Sequence, residues 1–187
     1  SPTDGELEDM RSLVRQCLRE GAVGMSTGLY YAPGSYADAD EIAALCEVVR
    51  EMDGLHASHI RDESTYNVGL IAALEEVLEV ARKSGVRTQV SHLKALGPEV
   101  WGKAPELLRM IEDIREEGFD VLADQYPYVA SGSSITGSLI PRWAQDGGRE
   151  ALVERIDDPG VRPKLLEEVR NNLKRRGGAD RLLIALY

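Results

Sequence analysis

Few residues in this chain carry redox, stacking or cationic chemistry. Of 187 residues, two are cysteine, three histidine, two tryptophan and one phenylalanine. Two cysteines exclude a disulfide scaffold at this length. Cys17 and Cys46 both fall on apolar stripes of expected helices, so reduced thiols and a cytoplasmic location are expected. There is no apolar run of bilayer length and no signal-like start, so no membrane partner is expected. Cationic charge is also short, with 22 Lys and Arg against 32 Asp and Glu for a net charge of −10. That balance argues against nucleic acid as a partner, since phosphate repulsion would go unopposed. The one basic run, Lys174-Arg175-Arg176, follows Glu167-Glu168 and reads as a charged helix end. No phosphate-cradling glycine pattern opens a helix after the first strand, which disfavours nucleotide binding.

What remains suits a single globular domain over 1–187, though a complete eight-stranded α/β barrel typically takes about 250 residues. Apolar residues at three-and-four spacing predict helices over Glu6–Glu20, Asp38–Met52, Val68–Lys83 and Pro105–Glu117. Thr3 or Asp4 can cap the first, Asp38 or Asp40 the second, and Gly21, Gly85 and Gly118 act as stops. Between them lie short apolar runs at Ala22–Ser26, Gly54–Ser58, Val86–Ser91 and Phe119–Ala123, read as strands. These runs are nearly continuous in apolar character, as expected when both sheet faces are covered. Beyond Asp124 the pattern loosens. It turns helical again near Arg149–Ile156 and Val161–Arg175, within a helical, insertion-like region over 138–180, and Leu182–Leu186 reads as a fifth strand. Alternation of strand and helix predicts parallel pairing through right-handed crossovers. The expected class is α/β, either a sector of a (β/α)8 barrel or an open doubly wound sheet.

In such sheets chemistry collects at the carboxyl ends of the strands. Ser58-His59 and Ser91-His92 stand at two such ends, one strand–helix unit apart. Singly, each histidine could be a hydrogen-bonded strand-end residue. Together they point to a shared metal, because neutral imidazole is a good zinc ligand. His56, in mid-strand, is expected to pack or to hydrogen-bond rather than ligate. Arg61-Asp62-Glu63 could bind an anion, orient His59, or form an exposed charged loop. Lys94 could pair with a substrate carboxylate or be an ordinary solvated lysine. The tyrosine-bearing loops Gly28–Tyr36 and Asp124–Tyr128 could line a pocket. Trp101 and Trp143 are assigned to packing.

Read in order, these motifs carry a resemblance. Gly24–Leu29 with Tyr31–Ala37, Ser58-His59-Ile60-Arg61, Ser91-His92-Leu93-Lys94 and Asp124-Gln125-Tyr126-Pro127-Tyr128 together resemble the D-aminoacylase (N-acyl-D-amino-acid deacylase) branch of the amidohydrolase superfamily. The match runs from about Gly21 to Gly137. It implies a zinc-dependent hydrolase on a distorted barrel, in which metal-activated water attacks the amide carbonyl of an N-acylated D-amino acid. His59 and His92 match zinc-binding histidines, Tyr31 and Tyr126 substrate-pocket tyrosines, and Lys94 a residue near the substrate carboxylate. The pattern departs from the family where its first-strand His-x-His and bridging cysteine are missing. Its last-strand aspartate and its carboxylate-gripping arginine are expected beyond Tyr187. The chain is therefore expected to be a central piece covering roughly strands four to eight, an incomplete barrel with no catalytic base of its own. It should be inactive alone and bind zinc weakly or not at all. Two rival readings are a non-catalytic piece that dimerises through exposed strand edges, and another amidohydrolase such as a cyclic-imide hydrolase.

Overall fold

Each strand of the sheet is launched and stopped by local chemistry already visible in the sequence. The computed structural model describes residues 1–185. Thr3 caps α1 (Asp4–Arg19) through a reciprocal box, its backbone N–H donating to the Glu6 carboxylate at 2.8 Å while its hydroxyl accepts the Glu6 N–H. β1 (Gly24–Gly28) follows. The Asp38 carboxylate then accepts the Glu41 N–H at 2.9 Å and opens α2 (Ala39–Glu51). β2 (Leu55–His59) leads to α3 (Leu70–Ser84), which ends at Gly85 with φ 66°, the left-handed turn that favours glycine. β3 (Arg87–Val90), α4 (Ala104–Glu116) and β4 (Val121–Ala123) complete the alternation.

All three strand pairs are parallel, in the order β1-β2-β3-β4. The sheet is open, an incomplete barrel. Paired residues share a face, so the register puts Met25, His56, Thr88 and Val121 on one side and Ser26, Ala57, Gln89 and Leu122 on the other. The first side packs on the helices. Leu70, Leu74, Val77 and Leu78 of α3 meet Val90, Val121, Leu107, Ile111 and Ile114 in one core cluster. Ile42, Cys46 and Val49 of α2 meet Val80, Val86 and Leu29 in a second. Each fully buried Leu, Ile or Val here contributes about 1.5–3 kcal/mol relative to an exposed one.

The opposite face is largely bare, with Leu122 51 % exposed. The expectation of two covered faces is thus corrected. The strands are short and their apolar character serves one helix-covered side, while the side that would face a barrel interior meets no layer among the described residues. The fifth strand is corrected as well: residues 182–185 form no ladder, and Leu183 is 91 % exposed. The helices before it lie over the carboxyl rim instead of running beside β4, so no neighbouring strand is presented to it; Leu186 lies outside the described residues. Four strands, not five, are therefore formed among the described residues.

Periodicity misassigned some stripe residues at helix ends and edges. Met52 caps α2 and is partly exposed, Leu108 is exposed, and α1, whose main neighbour is α2, buries no residue fully. Cys17 is accordingly exposed and Cys46 buried, both free thiols. Trp101 is 64 % exposed, so packing is not its role. The 138–180 region contains α5 (Ile135–Leu139), α6 (Arg142–Gln145), α7 (Gly148–Asp157) and α8 (Arg162–Arg175). Gly97, at φ 94°, lets the loop after β3 approach α8 so closely that a Cβ would sit 2.4 Å from the Arg175 carbonyl oxygen. No helix among the described residues is long and apolar enough to cross a membrane.

Candidate metal centre

His59 is the last residue of β2, and His92 lies two residues past the end of β3. Parallel pairing of these strands brings the two imidazoles together, with Nδ1 of His59 3.0 Å from Nε2 of His92 and ring centroids 4.5 Å apart. Glu63, four residues beyond His59, folds back over them. Its carboxylate lies 3.7 Å from His59 Nε2 and 3.3 Å from His92 Nδ1, and the Glu63 side chain is only 7 % exposed. Lys94 closes the cluster, paired with Glu63 and 2.9 Å from His92 Nδ1.

The donor set of His59, Glu63 and His92 has ligand atoms all within 4.8 Å of one another. Tetrahedral zinc with bonds near 2.0–2.1 Å places ligand atoms about 3.3 Å apart, and with one atom offered by each residue the Glu63 carboxylate stands 3.3 Å from His92 Nδ1 and 3.7 Å from His59 Nε2. His59 Nε2 is buried without a hydrogen-bond partner, and in the tautomer that leaves a lone pair there a cation could satisfy it. Burial holds the His59 pKa below its ordinary value, aided by His92 and Lys94 and opposed by Glu63. That shift favours the neutral form, the one that binds metal. These residues fit a divalent zinc site with room for an outside ligand.

The backbone of His92 is strained to present its ring. At φ 40° it occupies the left-handed region, which costs a non-glycine residue roughly 1–2 kcal/mol. Asp124 holds it there. One carboxylate oxygen accepts the His92 N–H at 2.5 Å, the other accepts the Gln89 side-chain amide at 2.9 Å, and the Asp124 carbonyl accepts the Leu93 N–H at 2.9 Å. Asp124 therefore acts as a positioning residue rather than a ligand.

The charged triplet after His59 divides its labour in a way the sequence left open. Arg61 does not face an anion site. It is buried, forks onto Glu76 at 2.8 Å and donates to the carbonyls of Ser35 and Ala37 at 2.6 Å, so the anion-binding option is corrected. Asp62, fully buried, accepts the backbone N–H groups of Ser64, Asn67 and Gly69 and shapes the loop. Glu63 alone reaches the histidines. His56 is buried on the helix side, its Nε2 2.9 Å from the Thr27 hydroxyl, and takes no part in the cluster.

The cluster opens into a cavity of about 140 Å³ whose walls include Tyr30, Tyr31, Tyr126 and Arg176. Tyr31 lies 5.2 Å from the His59 ring and its hydroxyl is 3.5 Å from Ser133. Lys94 sits over the Tyr126 ring at 5.6 Å. Thus Tyr31, Lys94, Tyr126, His59 and His92 all line one space. Sequence reasoning named Glu63 only within the charged triplet that could orient His59 and Tyr30 only within a loop that could line a pocket, and it read Arg176 as part of a charged helix end. Four-residue spacing from His59 was the one available signal for Glu63; Arg176 gave none, because its approach depends on how α8 packs.

Parallel βα units that carry an imidazole pair on their carboxyl rim define a sector of a metal-binding amidohydrolase-type barrel. More particularly, the chain is a homologue of the D-aminoacylases, the N-acyl-D-amino-acid deacylases. It is 40 % identical over 134 residues to N-acyl-D-glutamate deacylase of Alcaligenes xylosoxydans xylosoxydans, a match covering 72 % of this chain and 27 % of that protein. D-aminoacylase of the same organism is 36 % identical over 133 residues, again 71 % and 27 % of the two chains. In structure it resembles N-acyl-D-glutamate deacylase from Bordetella bronchiseptica, solved with zinc and a phosphonate mimic of the tetrahedral intermediate. The TM-score is 0.65 at 44 % identity, over 68 % of this chain and 26 % of that one. A D-aminoacylase structure with a binuclear metal centre gives a TM-score of 0.67 at 28 % identity, over 91 % and 40 %. No family model matches the sequence. The chain spans about a quarter of the length of the curated relatives it matches.

Proposed function

We propose that this chain is the zinc-holding part of a hydrolase that cleaves N-acyl-D-amino acids into a carboxylate and a free D-amino acid. The observation that carries the reading is the meeting of the His59 and His92 imidazoles, with Glu63, at a cavity that also holds Lys94. Relatives named as deacylases of D-amino-acid conjugates, one of them solved with zinc, support it. His59, His92 and Glu63 would hold the metal. When bound, zinc polarises a carbonyl and lowers the pKa of water toward neutrality. The chain's own residues supply the rest of the environment. Asp124 fixes His92, Lys94 would offer a cation to the substrate carboxylate, and Tyr31 and Tyr126 wall the acyl-amino-acid space. No residue of this segment is assigned as general base, so activity requires parts of the enzyme outside it.

The test is a zinc titration followed by isothermal calorimetry and deacylation assays. The 187-residue chain should bind zinc, lose at least tenfold in affinity on His59→Ala or His92→Ala, and show no deacylation. The full-length protein should deacylate N-acetyl-D-amino acids but not their L-counterparts. Zinc binding indifferent to both histidines would overturn the reading, as would a full-length protein inert toward every N-acyl-D-amino acid. Cyclic-imide hydrolysis draws no support from relatives that all act on linear amides by name.

A second reading is favoured by one observation. Among the described residues β1 and β4 are unpaired edges and the inner sheet face is bare at Leu122, so an isolated chain would self-associate to cover them. Light scattering checks it, and a strict monomer at high concentration would exclude it.

A further inference from the structure

Arg61 stands two residues past His59, and its guanidinium is engaged with the backbone of the loop that carries Tyr31. Nη1 donates to the Ser35 carbonyl and Nη2 to the Ala37 carbonyl, both at 2.6 Å. Nε and Nη2 also fork onto Glu76 of α3 at 2.8 Å. The Arg61 side chain is 9 % exposed and that of Glu76 18 %. A buried fork of this kind is directional, and an ammonium does not reproduce it. It joins the end of β2, the body of α3 and the far limb of the tyrosine loop.

The far limb is in turn tied to Tyr31. The Ser35 N–H donates to the Tyr31 carbonyl at 2.8 Å, so a single residue, Ser35, links the guanidinium to the tyrosine. The near limb is anchored separately. The Leu29 N–H donates to the His59 carbonyl at 3.1 Å, and Arg142 donates to the Tyr30 carbonyl at 3.1 Å. Gly34 passes so near the Gly28 carbonyl oxygen that a Cβ would stand 2.7 Å from it, which closes the loop at its neck. The Tyr31 ring rests 5.2 Å from the His59 ring and edge-on to Tyr30 at 5.0 Å, although Tyr31 is 41 % exposed. A side chain so open has little packing of its own to fix it, and its place is set by the backbone beneath it.

We infer that Arg61 is a positioning residue, which holds Tyr31 against the histidine-bearing rim by clamping the Ser35 and Ala37 carbonyls. The inference rests on the D-amino-acid deacylase reading, in which Tyr31 walls the substrate space. It adds to that site a residue that is not itself part of the cavity wall.

The test is a double-mutant cycle in the full-length protein, with Arg61→Lys, Tyr31→Ala and the two combined. Arg61→Lys should raise KM for an N-acetyl-D-amino acid by about fivefold or more, with kcat within about twofold. In the Tyr31→Ala background the same change should add less than about twofold, because the side chain it positions is gone. Zinc affinity should stay within about threefold of wild type in every variant. Hydrogen exchange at the Ser35 and Ala37 amides should accelerate by about tenfold or more while the β2 amides keep their protection. Glu76→Gln keeps the acceptor's shape and strands no buried carboxylate. It should move KM and exchange the same way by a smaller factor, and it carries the cycle where Arg61→Lys does not fold. An unmoved KM or additive losses in the cycle would overturn the inference, as would zinc affinity falling in step with KM or loop exchange equal to wild type. A full-length protein inert toward every N-acyl-D-amino acid would sink the function instead, and loop exchange would still decide for or against the clamp.

Discussion

Removing the Asp62 carboxylate should cost the protein about 3 kcal/mol and loosen the metal cluster that depends on it. Asp62 is fully buried and accepts three backbone N–H groups, from Ser64 at 2.8 Å, Asn67 at 2.6 Å and Gly69 at 3.0 Å. A hydrogen bond to a charged group contributes about 1.5–3 kcal/mol, and a buried donor left unpaired costs about 1–3 kcal/mol. Ser64 is buried and would bear that full cost, whereas Asn67 is exposed and Gly69 partly so, and both could turn to water. One full loss and two partial ones sum to about 3 kcal/mol, less the relief of no longer burying a charge. Asp62→Asn, which keeps one acceptor oxygen, should lose about half. Urea unfolding at constant m-value measures the difference directly, and a melting shift of about 6–12 °C should accompany it at this chain length. Glu63 rides on this loop, so zinc affinity should fall with stability. An Asp62→Ala variant within about 1 kcal/mol of wild type would refute the reasoning, because it would mean that the loop holds its shape without the carboxylate.

Other residues yield independent checks. His56 is buried and its pKa is pushed down to about 4 by desolvation, from an ordinary 6.5. The unfolded chain therefore takes up a proton that the fold refuses, so stability should be fully present above about pH 6.5 and fall by about 3 kcal/mol as pH drops toward 4. Denaturation at stepped pH should show this slope, and His56→Asn should flatten it. Glu63→Gln keeps the shape but weakens the third ligand, so zinc affinity by calorimetry should drop at least tenfold with the fold intact by circular dichroism. Gly97→Ala places a Cβ against the Arg175 carbonyl oxygen at a positive φ. It should destabilise by about 2 kcal/mol or more and shift the fluorescence of Trp143, which is tied to α8 through Glu168 at 3.0 Å.

Much of the frame was legible because it is set by local chemistry. Thr3, Asp38 and Gly85 announce helix ends through caps that need only neighbouring residues, and the apolar spacing of α3 is strong enough to fix its buried face. The register of β2 and β3 then follows from parallel alternation, and it carries His59 and His92 to the same rim. Where local pattern ran out, the errors have physical causes. Leu182–Leu186 has strand composition, but a strand needs an edge to pair with, and composition does not say whether one is within reach. The inner face of the sheet lacks a covering layer for the same reason, since the pattern of a strand cannot report what stands opposite it.

The sequence by itself determined the alternation of elements, the strand ends that bear imidazoles and the likeness to D-aminoacylases, because spacing and caps act over a few residues. Only the tertiary structure decided which of three adjacent charges reaches the metal cluster, why His92 sits in a left-handed turn, and how Arg176 enters the cavity. Those depend on contacts between residues 29 to 146 positions apart, made by loops and helix ends whose approach is set by packing, and packing leaves no trace in local order.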